Sequence, residues 1–245
     1  MARNSTRKRI QSRRAQRERQ KQMQLIIGVA VLAVVAVAVI FLLTRPRNVT
    51  ALVDTNYEGI PQEVDETGTG VGFALGEPDA PVTIVEYSDF SCPHCYNLSS
   101  PMKQIIEDYV RTGDARVVFK PITFVNPPYS RPAAQAAICA GYQGKFWEMH
   151  DQLWALYEGT GPGAYTPGQL NRMAQALGLD MGEYEECYRS SDVQADVDAV
   201  LAEAGERGVN GTPTIFVNGQ EVPYRGPDAA YTDLSVAIEA IVGSQ

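Results

Sequence analysis

The sequence predicts an α/β domain that carries an all-helical insertion and is preceded by a single N-terminal transmembrane helix. Three observations support this fold class. A run of 19 uncharged, apolar residues stands between a basic tail and an acidic body. An apolar, β-branched segment leads directly into a Cys-x-x-Cys helix start. A β-hairpin signal then follows a long stretch of helical periodicity.

Charge divides the 245-residue chain into two parts. The formal net charge is −8, but residues 1–24 hold nine Lys and Arg against one acid, Glu18. The remaining residues hold 12 basic and 28 acidic side chains, a net charge of −16. With 44% hydrophobic and 20% charged residues, the composition excludes a wholly disordered protein. Residues 1–24 are therefore predicted to be a basic tail.

Residues 25–43 are predicted to be a transmembrane anchor, because 19 helical residues reach roughly 28 Å, close to the ~30 Å hydrocarbon core. A cleaved signal peptide is the alternative, but the cleavage-like Ala36-Val37-Ala38 lies inside the apolar run. Basic residues stay on the cytoplasmic side, so the tail is predicted to be cytoplasmic and the body extracytoplasmic. We expect a single-pass protein of the cell membrane that contacts lipid through its anchor and binds no nucleic acid.

Residues 44–72 are predicted to be a flexible stalk. Pro46, Pro61 and four glycines interrupt this segment, which has no sustained periodicity. The folded domain is then expected to span residues 73–245.

The domain begins with a predicted strand, VTIVEYSDF, that starts at Val82 and ends close to Cys92-Pro93-His94-Cys95. Pro93 suits the first position of a helix, and a helical stripe of apolar residues follows it. A second strand is predicted at residues 116–119.

A helical block is predicted at about residues 129–207. Phe146, His150 and Trp154 share one helix face, which favours a core role for His150. Thr166 and Gln169 form a capping box that begins another helix. The chain then returns to a strand at residues 212–217, an Asn-Gly hairpin turn, a return strand at 220–222 and a final helix.

The Cys92-Pro93-His94-Cys95 motif is predicted to be redox-active. Two cysteines three residues apart in the first turn of a helix can reach disulfide distance. Unpaired N–H groups and the positive end of the helix dipole stabilise a thiolate, so Cys92 is expected to have a depressed pKa, with His94 adding to the effect. A stabilised thiolate favours the reduced form, which makes the disulfide an oxidant.

Two other interpretations of the cysteines stay open. A zinc site would combine Cys92 and Cys95 with other cysteines and histidines, but structural zinc favours a second closely spaced ligand pair, which the sequence lacks. The motif is also compatible with an inert structural disulfide. Cys139 and Cys187 lie in separate predicted helices, and outside the cytoplasm we expect them to form a structural disulfide. No metal and no cofactor are expected.

Several segments resemble the DsbA family of thiol–disulfide oxidoreductases. Residues 86–95, EYSDFSCPHC, and residues 211–214, GTPT, carry the resemblance. Residues 144–150, GKFWEMH, and the turn at 218–219 are similar to the membrane-anchored branch of the family. The resemblance covers the chain from about residue 72 onward. It implies a thioredoxin fold with an all-helical insertion between the second and third core strands.

The resemblance also implies roles for individual residues. Cys92 would be the exposed nucleophile and Cys95 the buried resolving cysteine. Pro213 would be a cis-proline facing the pair, and Thr212 would offer backbone hydrogen bonds to a bound substrate strand.

Two charged residues complete the implied site. Glu86, six residues before Cys92, would be a buried acid that relays protons to Cys95. Lys120 would be its partner, because a glutamate on a core strand is costly unless it is paired.

The predicted function is that of a membrane-tethered oxidase of protein thiols. Its expected partners are reduced client proteins outside the cytoplasm and a membrane redox protein that reoxidises the Cys92–Cys95 pair. One alternative is a disulfide reductase or isomerase of the same fold. The other is a metal chaperone or binding module with a vestigial Cys-x-x-Cys motif.

Overall fold

A computed structural model describes residues 57–244 and, nearer the N-terminus, residues 23–24, 27–28 and 30–37. The described N-terminal residues are helical. No helix among the described residues is both long and apolar enough to span a membrane. Most of the predicted tail, nine of the 19 residues of the predicted anchor, and residues 44–56 of the predicted stalk lie outside the described residues.

The described part of the chain forms a six-stranded sheet in the order β1-β2-β4-β3-β5-β6. The strands are β1 (Gln62–Asp65), β2 (Gly72–Leu75), β3 (Val82–Ser88), β4 (Ala115–Pro121), β5 (Thr214–Val217) and β6 (Gln220–Val222). The two central strands β3 and β4 are parallel, and the other neighbours are antiparallel. A parallel pair needs a crossover, which the helix after β3 provides.

Seven α-helices lie within residues 57–244. They are α1 (Pro93–Ile105), α2 (Pro127–Gly141), α3 (Phe146–Thr160), α4 (Pro167–Ala176), α5 (Met181–Arg189), α6 (Ser191–Glu206) and α7 (Pro227–Val242). Helix α1 continues as a π-helical turn at Ile106–Val110. Helices α2 to α6 lie between β4 and β5, so the helical insertion is present where the sequence predicts it.

Alternation along β3 divides the core between the two faces of the sheet. Ile84 belongs to the large apolar core, together with Leu98 of α1 and Leu234 of α7. Tyr87, three residues further along β3, points to the other face and packs with Val200 of α6 in a second, smaller core. Helix α1, which begins at the Cys-x-x-Cys motif, and the insertion helix α6 therefore cover opposite faces.

The folded domain begins earlier than predicted. Tyr57 and Ile60 are buried, and β1 pairs with β2 although both strands fall at or before the predicted domain start. The Tyr57 hydroxyl donates to Asp151 at 3.0 Å. Residues 57–72 are therefore part of the domain, not of a flexible stalk. Strand β1 has only four residues, too few for periodicity to reveal. It pairs with the nearby β2, and its acidic side chains form ion pairs with Arg116 and Lys120 of β4.

Candidate functional site

The Cys-x-x-Cys motif lies at the turn between β3 and α1. Cys92 is the N-cap residue of α1 in extended backbone geometry, and Pro93 is the first helical residue, as predicted. Asp89 holds this turn: its carbonyl accepts from the Cys92 N–H at 2.8 Å, and its carboxylate accepts from the Ser91 N–H at 2.8 Å. The other carboxylate oxygen accepts from the Val125 N–H at 2.9 Å. One buried aspartate thus joins the cysteine turn to the loop after β4.

Cys92 has the electrostatic environment of a reactive thiolate. A hydrogen bond from the Cys95 thiol is the largest cause that lowers the pKa of Cys92 to about 5, and hydrogen bonds from the Thr212 side chain and the backbone N–H groups of Cys95 and His94 contribute further. These interactions outweigh burial, which alone would raise the pKa. At neutral pH Cys92 is therefore a thiolate when the pair is reduced.

Cys95 has the opposite environment. Burial raises the pKa of Cys95 well above its ordinary value, and the hydrogen bond to Cys92 and the Cys92 charge raise it further. In the reduced pair Cys92 is therefore deprotonated at neutral pH and Cys95 keeps its proton. This asymmetry suits thiol–disulfide exchange, because Cys92 is a good leaving thiolate and Cys95 must lose its proton before it reacts.

Cys92 is more buried than the expected exposed nucleophile. The residue is only 4% exposed, compared with 1% for Cys95. The reason is the segment before β5: the Thr212 carbonyl oxygen lies 3.4 Å from the Cys92 Sγ and accepts its hydrogen bond when the thiol is protonated. The Thr212–Pro213 peptide bond is cis, as the resemblance implies.

A groove of about 810 Å³ opens beside the cysteines. Its walls are His94 at the start of α1, the Thr212–Pro213 segment, and the loop that contains Tyr224. The exposed His94 ring lies 6.3 Å from the Tyr224 ring between centroids. The backbone N–H of His94 lowers the Cys92 pKa. A further contribution from the His94 ring is a prediction from the sequence.

Sequence reasoning missed two residues of this site. Asp89 stands just before a helix start, where an aspartate commonly binds nearby backbone N–H groups, so a signal was present. Tyr224 carries no such signal, because it reaches the groove only through the tertiary fold. Its hydroxyl is buried without a hydrogen-bond partner in the described part of the chain.

Glu86 is buried, as predicted, but Lys120 is not its partner. In the register of β3 and β4, Glu86 lies opposite Phe119, whereas Lys120 lies opposite Tyr87. Neighbours in register point to the same face, so Glu86 and Lys120 point to opposite faces of the sheet. The Lys120 Nζ instead lies 3.4 Å from Glu203 and 3.7 Å from Asp65. The expectation of a Glu86–Lys120 pair is therefore wrong.

The environment of Glu86 is apolar apart from a neighbouring hydroxyl. Burial raises the pKa of Glu86 to about 7, and the Ser88 side chain partly opposes this shift. Ser88 lies two residues further along the same face of β3, and the same hydroxyl lowers the pKa of Cys95. Glu86 is thus a carboxyl that titrates close to neutral pH on the cysteine side of the sheet.

The remaining cysteines and the second histidine lie outside the redox pair. Cys139 of α2 and Cys187 of α5 form a disulfide with an S–S distance of 2.01 Å and a Cα–Cα distance of 5.8 Å. They are therefore not ligands of the zinc site considered above. Both His150 nitrogens are occupied, by Asp151 at 2.9 Å and by the Trp154 indole N–H at 2.9 Å. His150 is a hydrogen-bonded core residue, as expected.

Comparisons with known proteins agree with this geometry. A family model described as thioredoxin matches residues 68–240. Disulfide bond formation protein D of Bacillus subtilis is 30% identical over 157 residues, which cover 60% of this chain and 68% of that protein. The crystal structure of oxidised BdbD from Bacillus subtilis has a TM-score of 0.62 at 27% identity and covers 69% of this chain and 92% of that one.

A second group of relatives is much longer than the matched segment. The Na⁺/H⁺ antiporter NhaA 3 of Salinispora tropica is 39% identical over 158 residues, which cover 62% of this chain but 22% of the antiporter. The chain thus spans about a fifth of the length of the antiporters that it matches. The family match, the helical insertion and the cysteine turn confirm the predicted thioredoxin fold. The chain belongs to the thioredoxin family, among its DsbA-like thiol–disulfide oxidoreductases.

Proposed function

We propose that this protein is a membrane-tethered, extracytoplasmic oxidase of client protein thiols that works through the Cys92–Cys95 disulfide. The observation that carries the proposal is the asymmetry of the pair. The pKa of Cys92 is lowered to about 5, whereas burial holds the pKa of Cys95 well above its ordinary value. A stabilised Cys92 thiolate favours the dithiol form, so the disulfide form accepts electrons readily.

The reaction has two exchange steps. A client thiolate attacks the Cys92 Sγ of the disulfide, a client–Cys92 bond forms, and Cys95 leaves with the electron pair and takes up a proton. The second client thiolate then attacks the client sulfur of this mixed disulfide, and Cys92 leaves as a thiolate. Two electrons have moved from the client to the protein, and the client holds one new disulfide.

The other site residues have supporting roles in this scheme. Glu86 accepts or supplies the Cys95 proton, because its pKa of about 7 allows both states near neutral pH. Thr212 and Pro213 line the groove along which the client strand would lie, and the Thr212 backbone would offer it hydrogen bonds. His94 stabilises the Cys92 thiolate at the start of α1.

The location and partners follow from the N-terminal sequence. Residues 25–43 would anchor the protein with its basic tail in the cytoplasm, which leaves the redox domain outside. A membrane redox protein would then reoxidise the reduced pair, and the Cys139–Cys187 disulfide would stabilise the domain in the same oxidising compartment.

Trapping tests the mechanism directly. A Cys95→Ser variant cannot resolve a mixed disulfide formed when Cys92 meets a client disulfide, so client proteins should accumulate on Cys92 as adducts that a reducing agent releases. Cys92→Ser is the matched control and should trap nothing. Absence of adducts in Cys95→Ser would refute exchange through Cys92 and favour a binding module.

The reduction potential tests the direction of electron flow. We expect a value well above that of thioredoxin, because the reduced form is stabilised. A value near −270 mV, the potential of thioredoxin, would contradict the oxidase and favour the reductase alternative.

A further inference from the structure

A cluster of buried polar side chains lies on the sheet face opposite Glu86, and the reaction described above does not use it. The cluster, called the Glu203 cluster below, consists of Asp65, Tyr87, Lys120, Glu203 and Arg207. All but Arg207 are buried. Because buried charges are costly, the arrangement needs an explanation beyond solubility.

Glu203, in the last turn of α6, is the centre of the cluster. Its Oε1 accepts from the Tyr87 hydroxyl at 2.5 Å, and its Oε2 accepts from the Gly70 N–H at 2.7 Å. Lys120 donates to the Gly70 carbonyl at 2.6 Å. Residue 70 approaches α6 so closely that a Cβ there would lie 2.5 Å from the Val200 Cα. Glu203 thus fastens the end of α6 to the sheet and to the N-terminal segment.

Tyr87 and Arg207 extend the cluster toward β5. The Arg207 guanidinium donates to the Tyr87 hydroxyl at 3.3 Å and lies 4.6 Å from the centre of the Phe216 ring. Tyr87 lies opposite Thr214 in the β3–β5 register. The cluster therefore contacts the chain on both sides of the short connection at residues 208–213, before it at Arg207 and after it at β5.

This connection contains the residues that face Cys92. The Thr212 carbonyl lies 3.4 Å from the Cys92 Sγ, and residues 208 and 210–213 line the groove. Six residues held at both ends have little freedom, so the position of each end determines where Thr212 lies relative to the sulfur.

We infer that Tyr87, Glu203 and Arg207 are positioning residues, which hold the Thr212–Pro213 segment against Cys92 from the opposite face of the sheet. The inference rests on the proposed redox role of Cys92 and deepens it. It also gives Lys120 a function other than the expected pairing with Glu86, because Lys120 compensates the Glu203 carboxylate on which the cluster depends.

Tyr87→Phe tests the inference, because it removes the hydroxyl and keeps the buried ring. We expect the Cys92 pKa to rise from about 5 by about 1, because a displaced Thr212 loses the side-chain hydrogen bond that lowers this pKa. The measurement is the ultraviolet absorbance of the Cys92 thiolate as a function of pH, made on the isolated reduced protein. Tyr184→Phe is the matched control: the Tyr184 hydroxyl is also buried, has no partner among the described residues and lies in α5.

A second variant covers the case in which Tyr87→Phe fails to fold. Arg207→Met removes the guanidinium at an exposed position and keeps apolar cover over Phe216. We expect it to raise the Cys92 pKa in the same direction. Arg189→Met, at an exposed arginine of α5, is its control and should leave the Cys92 pKa unchanged.

The outcomes separate this inference from the proposed function. If the variants lower the thermal stability but leave the Cys92 pKa and the reduction potential at wild-type values, the cluster is structural only and the inference is wrong. The titration needs no client protein, so its result does not depend on whether the protein oxidises clients. A wild-type protein that traps no client would overturn the proposed function while leaving the titration result in place.

Discussion

Glu86 and Glu203 are both buried glutamates on the same sheet, but their environments are opposite. Burial raises the pKa of Glu86 to about 7, and no ion pair to it exists within the described part of the chain. Burial also disfavours the charge of Glu203, but hydrogen bonds from Tyr87 and the Gly70 N–H and the charge of Lys120 outweigh it, so the pKa of Glu203 is lowered.

The difference shows how one residue type serves two purposes. An unpaired buried carboxyl changes protonation near neutral pH, which suits proton exchange with the cysteine on its face of the sheet. A carboxylate with three donors keeps its charge and holds its donors in place, which suits a structural link. The comparison predicts how each face responds to substitution and to pH.

The largest effect is expected from Lys120→Met, which leaves the buried carboxylates of Asp65 and Glu203 without their shared cation. We expect the free energy of unfolding at neutral pH to fall by about 3–5 kcal/mol, measured by chemical denaturation. Lys145→Met is the control, because Lys145 is 44% exposed and pairs with Glu148 at the surface, and it should cost less than about 1 kcal/mol. An equally small loss for Lys120→Met would contradict the assigned role of the cluster.

Glu86→Gln should change how stability depends on pH. The folded protein keeps Glu86 protonated up to a pKa of about 7, while the unfolded chain ionises near 4.5. The wild type should therefore lose about 3 kcal/mol of stability, relative to the variant, as pH rises through this window. Denaturation at a series of pH values measures the difference. If the difference in stability between the wild type and Glu86→Gln stays constant with pH, the pKa of Glu86 is not raised in the folded protein.

Glu203→Gln should show the opposite pH dependence with a smaller amplitude. A lowered pKa stabilises the fold above the ordinary carboxyl pKa, and this contribution is lost on acidification. At neutral pH we expect a loss of about 1–3 kcal/mol, because the amide oxygen still accepts a hydrogen bond from one donor. The deficit should shrink as pH falls below about 4.5. If the stability deficit of Glu203→Gln grows on acidification, the pKa of Glu203 is not lowered, and the contrast with Glu86 is wrong.

The parts of the fold that depend on local chemistry could be predicted from the sequence. Strand β3, the proline at the start of α1 and the turn at residues 218–219 all carry signals within a few residues. The short strands β1 and β2 escaped prediction, because four-residue strands contain too little periodicity to distinguish them from a linker.

The site was predicted in the same uneven way. Cys92 and Cys95 follow from their spacing at a helix start, and the cis bond at Pro213 follows from the family resemblance. The expected exposure of Cys92 was wrong, since the segment that covers it comes from 120 residues further along the chain. The expected partner of Glu86 was wrong because a register difference of one residue reverses the face of the sheet.

Residue types and short spacings are enough to place a Cys-x-x-Cys pair on a strand-to-helix turn, with an apolar run and a basic tail before it. Those features depend on residue type and short spacing, so the sequence contains them directly. The pairing of Lys120 with Glu203 instead of Glu86, and the cover that the Thr212 carbonyl places over Cys92, become visible in the folded chain. Burial and electrostatic partners are set by strand register and by contacts between distant segments, which local sequence patterns do not encode.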